Sequence, residues 1–485
     1  MESFGCRASQ ADGDAIAAGL EALGATAADR LSRTDVVILN TCTVTAEADR
    51  DARAYIRRIQ RANPQARIVV TGCYAQRAPE EIAALPGVFA VVGNSHKNQV
   101  ASIALTPPAR LASAAANLGH GFVPAASLES ANKASAIRLP GVPAFVVSGD
   151  IFAHSDFQLP SLPASVTDRL TQNPAARRTR PSLKIQDGCG NRCTFCVIPS
   201  TRGNSRSLPR RAILEAVKEF VAAGGQELVI SGINLGRWGR DLAPRERLED
   251  LLAEIFDTMK LPRLRISSVE PMDWTDGLIS LLRRWGQAPH PRLARHVHIP
   301  LQSGSDPVLR RMHRRYRPWH YAERLAKIRA ASPDAAIGAD VMVGFPGETD
   351  AEFHESYDFI AAQPFTYLHL FPFSARPGTA GWELHRQWPV SAAAVRERMT
   401  ALRALIEQKN FDFRSQFIGN HLSAVTLIAA KEMSARQRTP AMTDNFLPVE
   451  IAANLEPNTL VSVRITGLKL HGLSGTITDQ MRSIT

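Results

Sequence analysis

Long hydrophobic runs are missing from this 485-residue chain. No stretch of about 18 apolar residues occurs, so a membrane-spanning helix is not expected. The opening residues also lack the form of a secretory signal. Acidic charge is in deficit: 46 Asp and Glu stand against 57 Lys and Arg, for a net charge of +11 and a pI near 9.7. That balance favours a polyanionic partner. Cysteine is scarce too, with six in all, and none falls outside two groups of three, Cys6/Cys42/Cys73 and Cys189/Cys193/Cys196. No fourth cysteine or nearby histidine follows Cys196, the next histidine being His290. A tetrahedral zinc ribbon wants four ligands and is disfavoured. Six is an even number, which would suit disulfides. A chain long enough for an ordinary core, without a signal, instead suggests a reducing cytoplasm, where clustered cysteines usually serve metals or catalysis.

What remains is ordinary soluble composition, 45% apolar and 21% charged. The length implies roughly two to four domains. Within it, Gly188-Cys189-Gly190-Asn191-Arg192-Cys193-Thr194-Phe195-Cys196 has the spacing C-x3-C-x2-C. Three thiolates packed this closely can hold three irons of a 4Fe-4S cube and leave the fourth iron open for chemistry.

Residues 1–105 alternate apolar runs (Asp35–Leu39, Arg67–Thr71) with helical stretches (Asp12–Leu23, Glu47–Ala62). This pattern predicts an α/β domain with a parallel sheet. Cys42 and Cys73 follow the two runs, at the strand ends where such sheets bind ligands. Cys6 joins them if Glu2–Phe4 ends a first strand. That strand is short against a usual five or six residues, which points to a start codon upstream of Met1. Residues 106–176 are rich in Ala, Ser and Pro and read as a linker, although Val142–Phe157 has apolar residues that could pack. Residues 177–410 repeat a strand–helix unit about six times, with strands at Leu183–Gln186, Glu227–Ile230, Leu264–Ser267, Val297–Pro300, Ile337–Val341 and Tyr367–Phe371. A partial (β/α)6 barrel is expected, with chemistry at the carboxyl ends of its strands. After a helix ending near Asn410, residues 411–485 suggest a small β-barrel with strands at Leu422–Ile428 and Thr459–Ile465, a form often used for RNA.

The C-x3-C-x2-C motif after a barrel strand, with aromatic Phe195 before its last cysteine, resembles the radical S-adenosylmethionine superfamily. The first triad, with Asn40-Thr41-Cys42 and Thr71-Gly72-Cys73, resembles the methylthiotransferase family, and the tail resembles its TRAM domain. Leu39-Asn-Thr-Cys-Thr-Val-Thr45, Ala48-Asp49 and Thr71-Gly-Cys-Tyr-Ala-Gln76 resemble the branch acting on threonylcarbamoyladenosine in tRNA. Ser9 departs from that family's first motif, which has Asn there.

The resemblance implies a transferase of sulfur-containing groups with two 4Fe-4S clusters and S-adenosylmethionine. Cys189, Cys193 and Cys196 would ligate the catalytic cluster, whose open iron would chelate S-adenosylmethionine. Reductive cleavage would give a 5′-deoxyadenosyl radical that takes hydrogen from carbon 2 of the modified adenine at position 37. The Cys6/Cys42/Cys73 cluster would carry or deliver sulfur, and a second S-adenosylmethionine the methyl group. Gly224-Gly225-Gln226-Glu227 sits where the superfamily often contacts the methionyl amine, so Gly225 and Glu227 are candidates, although a tight helix–strand turn explains them equally. Gln302 and Ser303 could reach ribose or substrate, or make a loop hydrogen bond. For the anticodon stem-loop of tRNA, the basic candidates are Arg202, Arg206, Arg210 and Arg211, then Arg310, Arg311, Arg314, Arg315 and Arg317. Lys431, Arg436 and Arg438 lie in the tail. An electron donor such as flavodoxin or ferredoxin is implied. The rival readings are the isopentenyladenosine branch, an aspartate of a ribosomal protein, and a non-enzymatic iron–sulfur carrier or RNA sensor.

Overall fold

Val36–Thr41 opens on β-branched residues that suit a buried parallel strand, and it is strand β2 in the computed structural model of the chain. The structure describes residues 1–28, 30–107, 122–124, 135–137, 144–154, 157, 179–287 and 289–480. The helix after β2, Ala46–Ala62, is capped by Thr45, whose side chain accepts from Ala48 N at 3.1 Å. It buries Ala52, Ile56 and Ile59 against the sheet, at helical spacing on one face. Strands β1 (Glu2–Ser3), β3 (Arg67–Gly72) and β4 (Val88–Gly93) complete the parallel core. The first strand is as short as the sequence suggested, pairing Glu2 with Leu39 and Ser3 with Asn40.

The linker expectation for 106–176 needs correction. Strands β5 (Phe122–Pro124), β6 (Ser135–Ile137) and β7 (Phe145–Val147) extend the sheet to seven strands, in the order β1-β2-β3-β4-β7-β6-β5. Val146 and Val147 are buried, and β7 pairs parallel with β4. Averaged over 70 residues, an Ala/Ser/Pro bias hides so short an apolar strand. Ile151–Ala153 forms a 3-10 turn with Ile151 buried, in the stretch expected to pack, and residues 108–121, 125–134, 138–143, 155–156 and 158–176 lie outside the described residues. The sheet belongs to a compact unit of Met1–Pro163, Asp187–Arg206 and Ser374–Trp382.

The second unit holds Ala164–Gln186, Ser207–Phe373 and Glu383–Thr485. Six parallel strands come at the expected places: β8 (Ser182–Asp187), β10 (Glu227–Gly232), β11 (Arg263–Ile266), β12 (His296–His298), β13 (Ala336–Val343) and β14 (Tyr367–Pro372). A two-residue strand β9 (Arg206–Ser207) edges β8. Bridges Leu264 to Leu293 and Ser268 to His298 join β11 to the β12 segment. The sheet is therefore open between β14 and β9, as a partial barrel should be.

Helix Ala392–Ser415 leads into a closed five-stranded barrel: β15 (His421–Thr426), β16 (Thr439–Thr443), β17 (Pro448–Ile451), β18 (Leu460–Lys469) and β19 (Gly472–Gln480). Its β16–β17 turn seats at the amino ends of the parallel strands. Arg265 donates to Thr443 O at 3.0 Å and Asp444 O at 3.2 Å, and Arg295 Nη2 bonds Asp444 Oδ1 at 3.2 Å. Phe446 stacks on His296 with ring centroids 4.1 Å apart.

Candidate functional site

The parallel register places Thr41 beside Gly72 and Gly72 beside Gly93. The residues that follow, Cys42, Cys73 and Asn94, therefore lie in one row at the carboxyl edge of the sheet. Cys6 reaches the row through Gly5, where a Cβ would stand only 2.8 Å from Cys42 Cβ and φ is +109°. Only glycine tolerates that backbone and that approach. Cys42 and Cys73 are buried, whereas Cys6 is exposed. Burial first, and neighbouring Cys73 second, push the Cys42 thiol up to about 12. Thiols crowded in this way suit a cation that takes them as thiolates. Asn94 Nδ2 supplies an outer hydrogen bond, 3.5 Å from Cys73 Sγ, and also donates to Thr201 O at 2.9 Å.

The second triad sits on a loop that leaves β8 at Asp187 and folds back on itself. Cys189 N donates to Gly203 O at 3.0 Å, and Cys196 N to Cys193 O at 3.1 Å. A Cβ on Gly188 would come within 2.0 Å of Asn204 O, so the return is possible only with glycine. Asn191 N points at Cys189 Sγ and Ile198 N at Cys196 Sγ, both at 3.4 Å. Backbone N–H groups aimed at sulfur favour thiolate over thiol. Three partly exposed sulfurs on one loop, with amides already turned to two of them, fit a three-cysteine 4Fe-4S site. Phe195 is partly exposed between them.

Buried charge packs behind these loops. Thr43 Oγ1 takes bonds from Arg77 Nε and Arg376 Nη2, each at 2.8 Å. The same two arginines engage the Asp49 carboxylate, Arg77 at 2.9 Å. Asp12 and Asp187 are each shared between Lys97 and Arg202. Ser9, in the place where Asn was expected, accepts from Asn40 Nδ2 through its carbonyl at 2.6 Å and from Arg202 through its hydroxyl at 3.2 Å. Sequence reasoning missed Asp12, Arg77, Asn94 and Lys97. Asn40, Thr43 and Asp49 lay in motifs it had singled out, and Arg376 in a polar loop at a strand end.

Two cofactor candidates fall elsewhere. Glu227 opens β10 at its amino end, opposite the carboxyl ends where ligand loops gather. It is fully buried and pairs with Arg265 at 2.8 Å and Arg180 at 3.5 Å. Burial alone would raise its carboxyl, but Arg265, then Arg180 and Arg263, hold it down to about 2. Gly225 is explained by packing: a Cβ would stand 2.2 Å from the Phe220 ring. These residues are the helix–strand turn rather than a contact for the methionyl amine. Gln302 does lie beyond β12 at the carboxyl end, with φ 65° and its buried Oε1 without a partner among the described residues. Ser303 makes the loop hydrogen bond, accepting from Ser305 N at 3.2 Å. On the adjoining strands His298, Asp340 and His369 form a mutual hydrogen-bonded set, each histidine 3.2 Å from the carboxylate.

The arginines divide by partner. Arg202 and Arg206 are buried, Arg206 donating to Arg202 O and His154 O, and Arg314 is buried against Glu270 and Tyr316. None of the three is a surface phosphate contact. Arg210 is clamped between Glu246 and Glu254. Arg211, 90% exposed with Glu215 four residues on, and Arg315 do face solvent. Arg310, partnered by Asp306, is largely exposed, whereas Arg311 and Arg317 are drawn into pairs with Glu352 and Asp306. Among the described residues, no helix is long and apolar enough to cross a membrane.

Residues 1–93 match a family described as Uncharacterized protein family UPF0004, and residues 183–360 match the Radical SAM superfamily. The chain is 35% identical over 450 residues to the threonylcarbamoyladenosine tRNA methylthiotransferase MtaB of Bacillus subtilis (strain 168), covering 93% of this chain and 89% of that protein. The protein of that name from Aquifex aeolicus (strain VF5) is 31% identical, over 96% of this chain and 99% of its own. A tRNA-2-methylthio-N(6)-dimethylallyladenosine synthase of Acidothermus cellulolyticus is also 31% identical, over 100% of this chain and 88% of its own. Among solved structures, the radical S-adenosylmethionine methyltransferase TsrM of Kitasatospora setae aligns with a TM-score of 0.51 at 16% identity, over 77% of this chain and 74% of that one. At that identity the likeness bears on the fold alone.

Proposed function

The chain belongs to the methylthiotransferase family of radical S-adenosylmethionine enzymes, and from that premise we propose that it places a methylthio group on carbon 2 of N6-threonylcarbamoyladenosine at position 37 of tRNA. The observation that carries the substrate is the 35% identity to a threonylcarbamoyladenosine enzyme over 93% of the chain. Two 4Fe-4S clusters and S-adenosylmethionine are its cofactors. When bound, they supply one-electron cleavage of a sulfonium carbon–sulfur bond and a sulfur for transfer.

The chain's own residues would do the holding. Cys189, Cys193 and Cys196 donate three thiolates, and the amides of Asn191 and Ile198 offset their charge. Cys6, Cys42 and Cys73 hold the second cluster, with Asn94 bonded to the last. Gln302 offers a buried carbonyl oxygen to a polar ligand at the strand ends. Arg211 and Arg315, with Lys431, Arg436 and Arg438 on the small barrel, meet tRNA phosphates, and the target base is read outside any duplex. A small one-electron protein donor such as flavodoxin or ferredoxin, in the cytoplasm, completes the reading.

Mass spectrometry of nucleosides from digested tRNA, from cells with and without the gene, tests it. Gene-dependent 2-methylthio-threonylcarbamoyladenosine is expected. A change in the methylthio form of dimethylallyladenosine instead would move the chain to the other branch and leave the chemistry standing. No changed nucleoside would refute the tRNA reading.

A further inference from the structure

Arg202 follows the C-x3-C-x2-C loop in the chain, yet its side chain is buried beside the N-terminal cysteines. It is 1% exposed. Its Nη1 donates to Asp12 Oδ2 at 3.0 Å and to Asp187 Oδ1 at 2.9 Å, and its Nη2 to Ser9 Oγ at 3.2 Å. Ser9 Oγ is 3.7 Å from Cys6 Sγ. Lys97 Nζ engages the other oxygens of the same carboxylates, Asp12 Oδ1 at 3.3 Å and Asp187 Oδ2 at 2.5 Å. The guanidinium is thus held at both ends of its fork.

One nitrogen of the three is left without a partner. Arg202 Nε–H is buried and finds no acceptor among the described residues. Buried N–H groups without acceptors are uncommon, and each calls for an explanation such as a ligand. The Ser9 hydroxyl that Arg202 holds is the one 3.7 Å from Cys6 Sγ, and Asn94, 3.5 Å from Cys73 Sγ, donates to the carbonyl of Thr201, the residue before Arg202, at 2.9 Å. The donor therefore belongs to a side chain tied on both sides to the surroundings of Cys6 and Cys73.

We propose that Arg202 is a positioning residue for the second cluster: its Nε–H donates a hydrogen bond to a sulfur of the cluster held by Cys6, Cys42 and Cys73, and Asp12 and Asp187 fix the guanidinium plane that aims it. This rests on the cluster assignment made above. Asp187 also accepts from Gly188 N at 2.9 Å, one residue before Cys189. The same arginine therefore ties the start of the radical-cluster loop to the wall around Cys6. Hydrogen bonds to cluster sulfurs, and positive charge nearby, favour the more negative reduced state and raise the potential.

The test is an anaerobic redox titration of the reconstituted full-length holoenzyme, with the two clusters followed by electron paramagnetic resonance. Arg202→Lys keeps the charge and removes Nε–H. At a fixed applied potential the reduced-to-oxidised ratio of the second cluster should fall about tenfold, which is about 59 mV for a one-electron couple, with the radical cluster moving less. A fully loaded variant with an unshifted second cluster would overturn the proposal. Should the variant fail to load, wild-type holoenzyme labelled with 15N-arginine decides by electron–nuclear double resonance. Coupling of a guanidino nitrogen and an exchangeable proton to the reduced second cluster is expected, and its absence would overturn the proposal. Wild-type protein that assembles no second cluster would overturn this inference together with the cluster assignment beneath it, whereas a second cluster without that coupling overturns the inference alone.

Discussion

Asn94 Nδ2 stands 3.5 Å from Cys73 Sγ, the two residues following the ends of the neighbouring strands β4 and β3. An amide in that place orients the sulfur and offsets thiolate charge. Asn94→Ala is expected to weaken the cluster proposed for Cys6, Cys42 and Cys73 by on the order of 10- to 100-fold in its resistance to chelators. Iron loss against time, compared with wild type, checks it.

The two triads should separate in function. Cys193→Ala is expected to abolish S-adenosylmethionine cleavage altogether. Cys42→Ala should cleave it, seen as 5′-deoxyadenosine by chromatography, and yet make no methylthio product. Methylthio product from Cys42→Ala would remove the first triad from sulfur delivery.

Asp49 holds both Arg77 and Arg376. Asp49→Ala leaves the buried Arg376 and the half-buried Arg77 without their carboxylate, a change that costs about 3–5 kcal/mol when a buried pair is broken from one side. Denaturant unfolding should show a loss of that order, with iron loading reduced because Thr43, next to Cys42, shares both arginines.

Glu227 carries a pH signature. Its carboxyl is held at about 2 in the folded chain against an ordinary 4.5. A depressed carboxylate contributes stability that is complete above about 4.5 and is lost as pH falls from there towards 2. Glu227→Gln should therefore lower stability at neutral pH by roughly 3 kcal/mol and flatten the acid limb of the stability curve across that window. Affinity for S-adenosylmethionine, measured on folded protein, should not change; a large loss would restore the cofactor contact rejected above.

Exposed cations should govern RNA binding. Arg211→Ala and Arg315→Ala are each expected to weaken tRNA binding across sequences and to reduce the slope of log affinity against log salt by about one. A slope equal to wild type in both would take these residues out of the interface.

Legibility in the sequence followed chemistry more than charge. The meeting of Cys42 and Cys73 could be read because both follow strands whose carboxyl ends gather in one row of a parallel sheet, and the β-branched strands because burial on both faces demands them. Arginine roles stayed hidden. Arg202 finds Asp12 across 190 positions of chain, and nothing local separates a guanidinium bound for a carboxylate from one bound for a phosphate. Gly225 and Glu227 misled for a related reason: a Gly-Gly-x-Glu string does not say which end of its strand it borders. The three short strands of 106–176 were lost in a composition average, although Phe145–Val147 is visible once a sheet edge is waiting for it.

The seating of Asp444 and Phe446 at the foot of the parallel strands has a mechanical consequence. With Arg265 and Arg295 locked into the β16–β17 turn, the small barrel cannot swing like a bead on a string. A molecule bound on the small barrel, as proposed above for tRNA, would be held at a set offset from the open barrel, as by the fixed jaw of a caliper. Under that proposal, the shape and length of the RNA would decide which nucleotide is presented, before any base is read.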